Sequence, residues 1–523
     1  MTPNALRNIL IVGGGSSGWL AALYLKRFLR HTPIDITLVE SAQIGTIGVG
    51  EATIPSMVRY LRQLGIDEKA FMRACSATYK LGIAFDNWRE TQHSYFHPFG
   101  LCGGRIDGID LFHFWLRNRL TTADPRAYSS YSLQARAAAE LKAPRSVSQG
   151  SPMIDTGSYA FHIDAAAMAE FLRDEAIRDG VHHIFDEIAE VQQDDAGNIS
   201  GLGTLAGRHL TADLYIDCTG FAGVLIEKAM GDPWIDLSGQ LLCDRAVVLP
   251  QEKDEDMPPL TRSTGLEAGW MWEIPLSHRK GSGYVYSSNH ISDDDAAQRL
   301  MGLAGFRRLR AADPRFLKMR VGHRTEFWRG NVVSMGLSSG FIEPLESTGL
   351  YFVHRALDLL RDCFPDRSFA PGTRHAFNTG MRQTYDEVRD FILLHYLTNG
   401  RDDSGFWADA RNVPLPDSLV HSLQSYDDHG MLPLASDQVF SETNYYFILA
   451  GTGRLPRRPT ARADAVGFDR IPPILGQIDS QITAQLDDLP SHRAYLGWLH
   501  ARAVDDGWPG DEDSAVGVMT TAD

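Results

Sequence analysis

The chain has 523 residues, 43% of them hydrophobic and 22% charged, with 48 Gly and 25 Pro. That is ordinary globular composition and argues against disordered, fibrous or repeat architectures. At ~150 residues per domain the length allows three or four domains, although large α/β enzymes also fold as one body. Fifty Lys plus Arg against 66 Asp plus Glu leave a net charge of −16. Such a field argues against nucleic acid and anionic membranes as partners, and any small anion the protein uses must be held by local geometry.

The cysteines Cys75, Cys102, Cys218, Cys243 and Cys363 are odd in number and scattered, with no CxxC pair. They point to neither a disulfide framework nor a metal site, and read as buried thiols of a reducing compartment. No signal peptide or ~20-residue apolar span is visible, so a soluble cytoplasmic protein is expected.

In chain order, Ile9-Leu10-Ile11-Val12 reads as a strand that ends in Gly13-Gly14-Gly15-Ser16-Ser17-Gly18. Leu20 to Leu29 then carry apolar residues at helical spacing. The run Ile34 to Val39 reads as a second strand, closed by the acidic Glu40. This is a βαβ unit with a GxGxxG turn. Its glycines let the backbone approach a pyrophosphate, and an acid after the second strand meets a ribose. The same turn also satisfies GxSxG, the pattern of a nucleophilic serine, but the acid favours a dinucleotide.

A second glycine-rich turn follows at Gly48-Val49-Gly50-Glu51-Ala52-Thr53. Lys80 lies in an apolar β-like stretch, where an isolated lysine is most simply a surface charge. Asp164 to Ala176 reads as an amphipathic helix, and Leu214 to Gly220 as a strand entering a small-residue turn. Trp270 and Trp272, two residues apart in Gly269 to Pro275, share one side of a strand, as an aromatic core pair or as a shield for a reactive centre.

Glu343-Pro344-Leu345-Glu346-Ser347-Thr348-Gly349 precedes an apolar helix, Leu350 to Leu360. Ser347 or Thr348 is a candidate cap and Glu346 a first-turn acid, while the amides around Thr348 and Gly349 offer a small-anion site. Beyond Arg367 the chain reads as helix and loop, with Arg382 to Tyr396 as the clearest helix. The basic cluster Arg454 to Arg462 reads as solvated surface, and 506–523 as a flexible tail.

Together these motifs resemble the flavin-dependent halogenases of the tryptophan halogenase family. The resemblance rests on the dinucleotide glycines, the run Gly45 to Ser56, the WxWxIP motif (Trp270, Trp272, Ile274, Pro275), Glu343 to Gly349, and Asn444 to Gly451. It implies a Rossmann-type FAD-binding α/β body over 1–366 and a smaller, mainly helical lobe over 367–505 that completes the substrate site. It further implies that reduced FAD, supplied by a separate flavin reductase, reacts with O2 and chloride or bromide to give hypohalous acid.

By the same resemblance Lys80 delivers the halogen to an aromatic ring, and Glu346 orients the halogenating species or takes the ring proton. Gly13, Gly15, Ser16, Ser17, Gly18, Glu40, Gly48, Gly50, Ala52, Leu337 and Leu350 are the implied FAD contacts, and Thr348 and Gly349 the halide contacts. The tryptophans keep the flavin from oxidising the substrate directly. His97, Phe99, Phe440 and Asn444 are the implied substrate contacts. Before Asn444 the stretch is poorer in aromatics than in tryptophan-specific members, with Val439 and Phe440 where an aromatic pair is expected. An indole-like substrate other than free tryptophan is therefore expected, along with a possible homodimer. The competing readings are an aromatic flavin monooxygenase and a non-catalytic flavin-binding redox protein.

Overall fold

The computed structural model describes residues 4–42, 50–145, 158–303, 313–435 and 437–501. Gly48 and the tail 506–523 lie outside them. The opening βαβ unit forms as read: strand Asn8–Val12, helix Ser16–Phe28, strand Asp35–Glu40. It belongs to a six-stranded sheet whose order is His182–Phe185, Asp35–Glu40, Asn8–Val12, Leu214–Asp217, Val332–Ser334, Trp328–Arg329. The first five strands are parallel, and the last pairs antiparallel. Helices Ser16–Phe28 and Ala165–Arg178 pack against each other, so the apolar runs Ile9 to Val12 and Leu214 to Ile216 are buried, as parallel strands require.

A second sheet of seven strands runs Arg315–Lys318, Arg245–Val248, Lys280–Tyr286, Gly269–Pro275, Thr261–Leu266, Gly82–Asp86, Ser94–Pro98. A small three-stranded sheet, Gly50–Ala52, Ala160–Asp164, Thr78–Lys80, lies beside it, with Gly50 against Gly281. A Cβ on Gly50 would come 3.3 Å from the Gly281 Cα, a tight approach between the two sheets.

Helix Gly349–Asp362 packs on a long helix, Pro371–Leu397, which begins eleven residues before the Arg382 expected from the sequence. Phe352 and Tyr385 stack between them at 4.1 Å. The main buried core runs from Leu6 to Leu499. One expectation needs correction: Cys218 and Cys363 are only partly buried, in contrast to Cys75, Cys102 and Cys243. The Arg454 to Arg462 cluster is surface as expected, with Arg457, Arg458 and Arg462 exposed and Arg454 and Arg457 paired with Asp427 and Asp428 of the helix Asp417–His429. Among the described residues no helix is long and apolar enough to cross a membrane.

Candidate active site

Lys80 ends its strand fully buried. Its Nζ donates to the Thr53 carbonyl at 3.1 Å and to Ser347 Oγ at 2.8 Å, and lies 5.1 Å from the centre of the Phe99 ring. Burial pulls its pKa down to about 7, with the Glu346 charge opposing that fall. Ser347 itself holds a left-handed backbone, φ 61°, which costs a non-glycine residue of order 1 kcal/mol. That conformation turns the chain between Glu346, which is also fully buried, and the start of the helix at Gly349.

Glu346 is clasped by two histidines. His97 Nδ1 lies 2.9 Å from Oε2 and 3.0 Å from Oε1, and His395 Nε2 lies 2.8 Å from Oε1. Burial pushes the carboxyl up, but the charge of His97 and the close approach of both rings outweigh it and hold the group at about 2. His97 Nε2 meets Asn444 Nδ2 at 2.9 Å, and His395 Nδ1 meets the Tyr95 hydroxyl at 2.9 Å. The anion is thus fixed in place by residues from the strand Ser94–Pro98 and the helices Pro371–Leu397 and Glu442–Gly451.

Neither Ser347 nor Thr348 caps the following helix with its side chain, against expectation. Ser347 Oγ is taken by Lys80, while Thr348 Oγ1 is buried with no partner among the described residues. The first amides of the helix have no intrahelical acceptor, so Thr348 and Gly349 present N–H groups beside an unsatisfied hydroxyl. A Cβ on Gly349 would stand 3.4 Å from Glu51 Oε1, and burial raises that carboxyl to about 7.

A cavity of about 370 Å³ opens next to this cluster. His97, Phe99, Ile54, Phe440 and Tyr351 are the buried part of its wall, and Asn444 also lines it. Phe440 stacks on Phe391 at 3.8 Å, and Asn444 also accepts from the Ser441 amide, so both are held firmly. Lys80 does not line this cavity, but Phe99, whose ring centre is 5.1 Å from the lysine Nζ, does.

The GxGxxG turn reaches the same region through Ser17, which lies against the turn Gly336–Ser338 that holds Leu337, and this turn packs on the helix Gly349–Asp362, whose first turn holds Leu350. A Cβ on Gly18 would lie 1.8 Å from the Gly13 carbonyl and one on Gly14 1.6 Å from Glu40 Oε2, whereas Gly15 faces open space. Glu40 accepts from His183 Nε2 at 2.8 Å, and Ser17 packs against Gly336. Open space over Gly15, a free helix start and a fixed acid after the second strand fit a dinucleotide pyrophosphate and ribose.

Trp270 and Trp272 share a face, their rings 6.4 Å apart. Trp270 Nε1 donates to Glu343 Oε2 at 3.0 Å, as does the Tyr396 hydroxyl at 2.7 Å, and Trp272 lies flat over Gly283. Ile274 and Pro275 are buried in the same strand. The residues sequence reasoning missed are His395, Ser347 as the lysine's acceptor, and Glu343 as the indole's. Of these only His395 left a trace, a lone imidazole in the apolar run Phe391 to Leu397.

A family model described as tryptophan halogenase matches residues 8–467. Tryptophan 6-halogenase SttH of Streptomyces toxytricini is 35% identical over 94% of this chain and 98% of its own. Tryptophan 7-halogenase RebH of Lentzea aerocolonigenes is 36% identical over 94% and 99%. Among solved structures, BrvH, a flavin-dependent halogenase from Brevundimonas sp. BAL3, superposes with a TM-score of 0.89 at 36% identity, covering 94% of this chain and 99% of that one. Xcc4156, a flavin-dependent halogenase from Xanthomonas campestris, gives 0.89 at 37% identity over 95% and 98%.

Proposed function

The chain belongs to the tryptophan halogenase family and is a flavin-dependent halogenase with a Rossmann-type α/β fold, and from that premise we propose how its own residues carry the reaction. FAD is the cofactor and halide the co-substrate. Bound in its reduced form, delivered by a separate flavin reductase, FAD with O2 and chloride or bromide supplies hypohalous acid. Gly13, Gly15, Ser16, Ser17, Gly18 and Glu40 would hold the dinucleotide, with Gly50, Ala52, Leu337 and Leu350 against it. The Thr348 and Gly349 amides would hold the halide.

Lys80 either holds hypohalous acid by a hydrogen bond, with its O–X bond intact until the ring attacks, or takes the halogen as a haloamine, the neutral amine exchanging N–H for N–X as one water leaves. A lysine with a pKa near 7 is suited to either route, because it exchanges between ammonium donor and neutral nucleophile at working pH. Glu346, held at about 2, stays anionic, stabilises the cationic ring formed when the halogen adds, and receives its proton. The aromatic lies in the cavity against Phe99 and His97, with Phe440 and Asn444 of the 367–505 lobe completing the wall. The Trp270 and Trp272 pair keeps the ring apart from the flavin. The apolar wall around Phe99, Tyr351 and Phe440 favours an indole less polar than free tryptophan.

The observation that carries this reading is the buried Lys80 of lowered pKa facing a buried carboxylate across Ser347. Enzyme, FAD, reductase, NADH, bromide and indole should give bromoindole by its isotope pattern in mass spectrometry. Lys80→Met should lose ~10²-fold or more of the rate while still binding FAD. A Lys80→Ala variant as fast as the parent would overturn the assignment.

A further inference from the structure

Resting on the halogenase reading above, we propose that the aromatic substrate bears a short carboxylate arm and no ammonium, and that Arg355 receives this carboxylate at the cavity mouth. The cavity is not apolar throughout. Arg59, Arg355, Asp358 and Asp437 line it as well, and they are unequally satisfied. Arg355 donates no hydrogen bond among the described residues; its nearest carboxylate is Asp437, at 3.8 Å and itself 73% exposed. Water competes for such a pair, so it holds the guanidinium weakly. A planar fork of five donors left open beside an aromatic wall matches a carboxylate.

The acids nearby cannot serve an ammonium equally well. Asp358 is shared by Arg59 at 3.0 Å, Arg361 at 3.3 Å and the Tyr24 hydroxyl at 3.3 Å, so its charge is already met by two cations. Glu387, which also interacts with Arg355, is pushed up to about 7 by burial and is not a standing countercharge. The spacing is suitable too. Tyr351, Arg355 and Asp358 fall on one face of the helix Gly349–Asp362, and Arg355 lies ~9 Å along its axis from Gly349. Phe99 and Arg355 line the same cavity, so a ring against Phe99 shares that space with the arginine. In a protein of charge −16, an arginine left this open marks where an organic anion enters.

Indole-3-acetate, its neutral amide, indole and tryptophan would be compared by calorimetric binding and by bromination rate, with the parent, Arg355→Gln and Asp437→Asn. The acid should exceed the amide ~10-fold in the parent, a ratio that falls toward one in Arg355→Gln. Asp437→Asn, which removes the competing carboxylate, should raise the ratio and decides alone if Arg355→Gln does not fold. The proposal is overturned if the amide matches the acid in the parent, if tryptophan surpasses the acid, or if either variant leaves the ratio unmoved. Binding of the acid with no brominated product from any of the four would instead sink the halogenase reading and leave the carboxylate site standing.

Discussion

Lys80 sits where water does not reach, and its ammonium is stabilised by two oxygen acceptors and a neighbouring anion rather than by solvent. Its pKa falls from 10.5 to about 7, so between those values the unfolded chain binds a proton that the folded chain does not. Stability must therefore rise with pH across that window, and the cost of burying the cation is fully present below about pH 7. Replacing the lysine by methionine removes that cost. The excess melting temperature of Lys80→Met over the parent should be greatest below about pH 7 and shrink toward pH 10; a difference independent of pH would show that the folded lysine titrates normally. Lys80 and Glu346 gained their roles in the sequence only through the family resemblance, because alone a lysine reads as a surface charge and an acid ahead of a helix as a complement to its dipole. His395 left only the trace of a lone imidazole in an apolar run, because its link to Glu346 is made by the packing of the helix Pro371–Leu397 and no spacing along the chain encodes it. The left-handed backbone of Ser347 was equally hidden, because serine gives no signal for positive φ.

At the scale of elements, the glycines of the first turn have different jobs. Gly18 lets the helix Ser16–Phe28 approach the strand end, because a methyl there would meet the Gly13 carbonyl at 1.8 Å. Gly15 has nothing within 4 Å, so its bareness serves whatever lies over the turn. Gly18→Ala should lower the melting temperature of the apoprotein by several degrees, corresponding to ~2 kcal/mol or more. Gly15→Ala should leave it within about a degree while weakening FAD binding ~10-fold or more, read by flavin fluorescence. If Gly15→Ala binds FAD as the parent does, the pyrophosphate does not lie over this turn. The βαβ unit was legible because strand, glycines, helix and acid are contiguous. The cavity was not, since its wall draws on residues from Ile54 to Asn444 that only the folding of distant strands, helices and loops brings together.

Over the whole molecule, the main apolar core draws on residues from Leu6 to Leu499, so distant parts of the chain share one interior. Net charge was the more informative global quantity. On the proposed reading, a halide approaching a body of −16 is repelled at long range and held only at short range, by the helix amides of Thr348 and Gly349. Salt distinguishes the two ranges: the screening length is ~30 Å at 0.01 M and ~8 Å at 0.15 M, so added salt weakens the surface field and leaves buried contacts nearly intact. Raising potassium gluconate from about 0.01 to 0.15 M should therefore lower the KM for bromide, by ~2-fold or more, with kcat unchanged. A KM that climbs with gluconate would mean that cations around the entrance, Arg59 and Arg355 among them, outweigh the overall charge and already draw anions inward. In either case the ionic-strength slope measures a long-range term separate from the amide contacts, because those lie within a few ångströms of the ion and are not screened.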